Sequence, residues 1–165
     1  MPSNPDRVEE PLARLIAAHP VLFRGKEPAI SSFLPEGWYA LVDRLCSDME
    51  ATLGPQGCAA YEVRQVKEKF GALRFYYRLQ GEGDLYVDLK FEVSRSRFVK
   101  PAVVEGADRI RALIEQAMAD SEHICQRCGC AGSLRNLGGW HVTLCEPHSE
   151  EHANHGDGTA TGPGA

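Results

Sequence analysis

No stretch of the 165 residues approaches the roughly 20 uncharged apolar residues of a membrane-spanning helix. A secretory leader is missing as well, because the first residues, MPSNPDRVEEPLARL, carry acids where a leader carries a basic and then an apolar region. Together these absences predict a cytoplasmic protein. No internal repeat is visible. Excess positive charge is also lacking: 18 Lys and Arg face 23 Asp and Glu, a formal charge of −5. An acidic chain does not wrap nucleic acid non-specifically, since that rests on many phosphate contacts. Catalytic spacing is absent too. No histidine, serine or second acid is tied to Lys67-Glu68-Lys69, which reads as a charge cluster beside a turn.

Apolar residues are plentiful at 43%, enough for one core in a chain of this length. Pro11 opens a short helical pattern with Leu12, Leu15, Ile16 and His19 on one face, and Pro20 stops it. Trp38, Leu41, Val42, Leu45, Cys46, Met49 and Leu53 repeat at helical spacing and predict a helix over 37–53, closed by Gly54-Pro55. The period then changes to two. Tyr61, Val63 and Gln65 form one run, Leu73, Phe75, Tyr77 and Leu79 a second, and Leu85, Val87, Leu89, Phe91 and Val93 a third. Glycine-rich breaks between them predict a three-stranded antiparallel meander with one buried face. A second long helix is predicted over 101–121 from the stripe Val103, Val104, Ala107, Ile110, Ile114, Ala117 and Met118.

Six cysteines in such a chain read as thiols or metal ligands rather than disulfides. Cys125 and Cys128, then Cys145 and His148, give paired C-x2-C and C-x2-H spacings with 16 residues between. Each two-residue gap lets a tight turn bring both donors to one ion, which matches a single structural zinc. Gly129 supplies the left-handed residue such a knuckle needs. A hairpin over 133–144 around Gly138-Gly139, then Pro147 in a first helical turn, is similar to the treble-clef class of zinc finger. Cys130 and His141 remain substitute ligands. Cys46 and Cys58 read as structural thiols, and Trp38 and Trp140 as core anchors.

A local charge of +4 over 64–78 makes Arg64, Lys67, Lys69, Arg74, Tyr76 and Arg78 the candidate contact for nucleic acid or another partner. The competing reading pairs Arg74 and Arg78 with Asp84, Asp88 or Glu92 on a neighbouring strand. Asn136, His141 and His148 invite comparison with metal-dependent nucleases, which need a histidine base beside an open metal position.

The segments FLPEGWYALVDRLCSDME, VRQVKEKFGALRFYYR and CQRCGCAGSLRNLGGWHVTLCEPH resemble, in that order, a family of small zinc-finger-containing proteins of bacteriophages, prophages and bacteria. The resemblance implies zinc binding and a mobile-element or bacterial setting, and no activity. The expected organisation is α+β: a short helix and loop over 1–34, and a core over 35–123 with two helices on the three-stranded meander. A treble-clef-like zinc module over 124–149 and a disordered tail over 150–165 complete it. The expected function is that of a non-enzymatic zinc-binding protein acting through a partner, protein before nucleic acid. A nucleic-acid-binding module on the basic strand and a metal-dependent nuclease are the alternatives.

Overall fold

The computed structural model describes residues 10–28, 30–79 and 106–156. The protein is α+β, with elements in the order α1 (Pro11–Ala18), a 3-10 turn (Glu36–Trp38), α2 (Tyr39–Ala60), β1 (Tyr61–Lys69), β2 (Ala72–Leu79), α3 (Ala107–Ser121), β3 (Ser133–Leu137), β4 (Trp140–Leu144) and α4 (Glu146–Gly156). Pro11 sits at the first helical position of α1, and the chain leaves it at His19, whose backbone N–H still donates to Leu15 O. Buried His19 then lies between two carboxylates of α2, with Nε2 3.1 Å from Asp43 and Nδ1 3.0 Å from Glu50.

Along α2 the buried residues are Leu41, Val42, Leu45, Cys46 and Met49, the stripe its spacing predicts. Gly54 breaks the helix as expected, with φ 63 and ψ 177, a region essentially closed to side chains. The chain does not stay extended, however. Pro55 starts a second helical arm that runs to Ala60. Helix α3 buries Ile110, Ile114, Ala117 and Met118; positions 101–105 of the expected helix lie outside the described residues. Both helices pack with the hairpin in one core that includes Trp38, Tyr61, Val63, Val66, Leu73 and Phe75.

Among the described residues the sheet is a two-stranded antiparallel hairpin, not a three-stranded meander. The third expected strand, at 85–93, lies outside the described residues. Strict alternation also fails within the pair. The register shifts between Val63 and Gln65, so Val63, Gln65 and Val66 are all buried. Other segments contribute hydrogen bonds to both edges of the hairpin, which shortens the unpaired rows that invite aggregation. Val63 N donates to Leu22 O and Phe33 N to Val66 O on one side; Leu73 N donates to Ser121 Oγ of α3 on the other.

Phe70 and Gly71 form the two-residue turn between Lys69 and Ala72, both with positive φ (57 and 76), as the twist of a tight hairpin demands. Phenylalanine is poorly suited to that conformation and stays 63% exposed. Phe70→Asn is therefore expected to raise the unfolding free energy by about 1 kcal/mol. Urea melts check this through a higher midpoint at unchanged slope.

Candidate metal centre

The C-terminal segment supplies too little apolar material to fold by burial: its cluster is Cys125, Leu144 and Cys145, backed by Leu137 and Val142. Polar bonds shape it instead. Cys125 N donates to Cys130 O at 2.7 Å and Gly129 N to Cys125 O at 2.9 Å, closing the first pair into a knuckle. Gly129 takes φ 77, and a Cβ there would stand 2.9 Å from Gly37 O. After the β3–β4 hairpin, Cys145 precedes α4, and Ser149 N donates to Cys145 O in its first turn. That turn carries His148 back over Cys145. Arg135–Glu146 and Arg127–Glu151 ion pairs, at 2.6 and 2.7 Å, tie α4 to β3 and to the knuckle.

The result places the Sγ atoms of Cys125, Cys128 and Cys145 and a ring nitrogen of His148 all within 4.8 Å of one another, positioned to hold one metal ion. Tetrahedral zinc, with Zn–S of about 2.3 Å and Zn–N of about 2.0–2.1 Å, requires S–S edges of about 3.8 Å and S–N edges of about 3.6 Å. Cys128 and Cys145 Sγ are 3.8 Å apart, and His148 Nδ1 lies 3.4 Å from Cys125 Sγ and 3.2 Å from Cys145 Sγ. The donor set and its size therefore fit that ion. Burial pushes the Cys125 thiol up, but hydrogen bonds from the backbone N–H groups of Cys145, Cys128 and Arg127, with the His148 ring, outweigh it and bring the thiol to about 6. A thiolate is the form that binds metal.

Cys130 and His141 fall outside this four-residue set. Cys130 Sγ nevertheless lies 3.1 Å from Cys128 Sγ. His141 is exposed on β4, paired with Asn136, its ring edge-on to Phe70 with centroids 6.4 Å apart. Asn136 Oδ1 accepts from Gly139 N and shapes the hairpin tip. His148 belongs to the four-donor set, while Asn136 and His141 face each other across the β3–β4 hairpin. The α4 helix continues to Gly156, into the stretch whose composition reads as a tail. Trp140 is 74% exposed at the hairpin tip, whereas Trp38 is fully buried, so only Trp38 is a core anchor.

The candidate contact residues of 64–78 divide. Arg64 and Arg78 both reach Glu62, at 3.0 and 2.5 Å, and Glu62 is the register partner of Arg78. Burial alone would raise the Glu62 carboxyl, yet the bonds and charges of these two guanidinium groups hold it below its ordinary value. The expected acids Asp84, Asp88 and Glu92 lie outside the described residues. Arg74 and Tyr76 are buried at 7% and 9% exposure, and Arg74 donates to its own neighbour's carbonyl, Leu73 O. Lys67 Nζ sits 5.7 Å above the Tyr76 ring and Lys69 Nζ 5.2 Å above Phe70. Among the described residues the exposed large aromatics are Phe33, Phe70 and Trp140, none of which the alternating pattern of β2 singled out. For Phe70 the signal was Phe-Gly at a hairpin turn, where Asn-Gly is the favoured pair.

The metal cluster does not hang free from the core. Gly37 N donates to Gln126 O (3.0 Å), Trp38 Nε1 to Ile124 O (2.8 Å), and Thr143 Oγ1 to Gly71 O (2.6 Å). Among the described residues, no helix is long and apolar enough to cross a membrane. The chain matches no family model, no curated protein and no solved structure.

Proposed function

We propose that this chain is a non-enzymatic zinc-binding protein whose zinc is structural and whose role is to dock a partner, protein before nucleic acid. The observation that carries the zinc reading is the set of four donors, Cys125, Cys128, Cys145 and His148, within 4.8 Å. Four protein ligands fill a tetrahedron and leave no position for water, which favours a structural over a catalytic ion. The order knuckle, hairpin, ligands at a helix start supports a treble-clef-like arrangement. A cytoplasmic location in a bacterium, phage or prophage is the part of the proposal that rests on the sequence alone.

The docking role draws on Phe70, an exposed aromatic kept in a conformation that disfavours it. Its neighbours Lys69 and His141 also favour a second reading, in which a single strand of nucleic acid stacks on Phe70. Elemental analysis of the purified protein is expected to give one zinc per chain, and cobalt substitution to give the absorption of a tetrahedral thiolate site. No metal, or a second metal per chain, would overturn the zinc reading. For the docking role, Phe70→Asn is expected to weaken capture of a protein partner in cross-linked pull-downs while leaving zinc content unchanged. Equal capture by both forms, with salt-sensitive binding to single-stranded oligonucleotides, would favour the second reading instead.

A further inference from the structure

Six thiols are present, and their surroundings differ sharply. Cys46 and Cys58 are buried in the core, and burial pushes both thiols up. Cys125 and Cys145 are buried in the metal cluster. Cys128 and Cys130 are the two exposed thiols, separated in sequence by Gly129 alone. Their sulfurs stand 3.1 Å apart, within about 1 Å of the disulfide bond length of about 2.05 Å. Cys128 belongs to the four-donor set and Cys130 does not. Gly129 is held at φ 77 with no room for a Cβ against Gly37 O, which fixes the curl that turns both sulfurs together.

We propose that Cys128 and Cys130 form a peroxide-responsive thiol pair that closes to a disulfide and ejects the metal, a role that rests on the zinc reading above. The oxidant is hydrogen peroxide. Cys128 sulfur, as the thiolate, attacks one peroxide oxygen; an S–O bond forms, the O–O bond breaks, and hydroxide leaves to become water with a solvent proton. Cys130 sulfur then attacks Cys128 sulfur. An S–S bond forms and the S–O bond breaks, with the departing hydroxide taking the Cys130 proton as a second water. The pair has lost two electrons and the peroxide has gained them. Cys128 is withdrawn from the ion, leaving Cys125, Cys145 and His148. Thiol–disulfide exchange with a reducing dithiol restores both thiols and the site.

Trypsin gives a direct reading, because cleavage after Arg127 and Arg135 isolates peptide 128–135, whose only cysteines are Cys128 and Cys130. The full-length, zinc-loaded protein is treated with hydrogen peroxide, zinc release is followed with a colorimetric chelator, and the peptide is weighed without reduction. The expected result is one zinc released per chain, a peptide lacking two hydrogen atoms, and recovery of both states with dithiothreitol. Cys130→Ser is expected to carry the same zinc beforehand but to fail to recover it, because an unresolved sulfenic acid climbs to the sulfinic acid that thiols do not reduce. Zinc release with both thiols of peptide 128–135 still free, or full recovery by Cys130→Ser, would overturn the pairing. Protein that carries no zinc yet closes the same disulfide would overturn the zinc reading and leave the pair standing.

Discussion

Cys145→Ala is expected to abolish metal binding and to lower the melting temperature of the whole chain by about 10 °C, not merely to loosen its last quarter. Zinc contributes on the order of 10 kcal/mol to folding where a site is preformed only in the folded state. The segment depends on that contribution, since its own buried cluster is three residues, two of them ligands. Its unfolding would then reach the core through three hydrogen bonds. Trp38 Nε1 would lose Ile124 O, Gly37 N would lose Gln126 O, and Gly71 O would lose Thr143 Oγ1. Each buried group left unpaired costs about 1–3 kcal/mol until water reaches it. A loss near 3 kcal/mol in a chain of this size moves the transition by about 10 °C. Differential scanning calorimetry with and without chelator checks the coupling. A variant that loses zinc but keeps the parent melting temperature would show that the core folds independently of the centre.

Much of this centre is legible in the amino-acid sequence. Spacing alone identified Cys125, Cys128, Cys145 and His148, because a two-residue gap has few ways to present two donors except to a shared ion. Helical period located α2 up to its break at Gly54, but not the arm from Pro55 to Ala60, and located α3 over its described residues, since a stripe such as Leu41, Val42, Leu45, Cys46 and Met49 has no other economical burial. The strands were harder. Alternation assumes one wet face, but Arg74 and Tyr76 are buried along with Leu73 and Phe75, so a polar residue on β2 did not imply solvent. The register shift at Val63 and Gln65 depends on packing between strands, which a single strand's pattern does not encode. Trp140 was misread for a related reason. Its side chain has the size of a core anchor, but the tip of a hairpin of two five-residue strands leaves it exposed. Coupling between centre and core was hidden for the plainest reason: Gly37 and Cys125 are far apart in sequence, and glycine carries no side chain to announce a contact.

That contact predicts the largest effect of the smallest change. Gly37→Ala adds one methyl group, and its Cβ would stand 2.1 Å from Cys125 O, 2.6 Å from Gly129 N and 2.8 Å from the carbonyl carbon of Gln126. All three atoms are backbone of the metal knuckle, so no side chain can swing aside. Relief requires the knuckle to move off the 3-10 turn at Glu36–Trp38, which also breaks the Gly37 N to Gln126 O bond. Overpacking of this kind costs about 1–3 kcal/mol, and the lost bond places the expected cost at the upper end. Because Cys125 and Cys128 belong to the displaced turn, zinc affinity should fall with stability, by about 100-fold for about 3 kcal/mol. Gly25→Ala separates collision from backbone strain. Gly25 also has positive φ (61), but its Cβ would meet nothing within 4 Å. That variant should lose about 1 kcal/mol through conformation alone and keep its zinc affinity. Competition with a chelator of known affinity, run on both variants beside the parent, decides the matter. Equal zinc affinity in all three would mean that the knuckle yields at Gly37 without disturbing its ligands, and that the centre and the core are separate bodies.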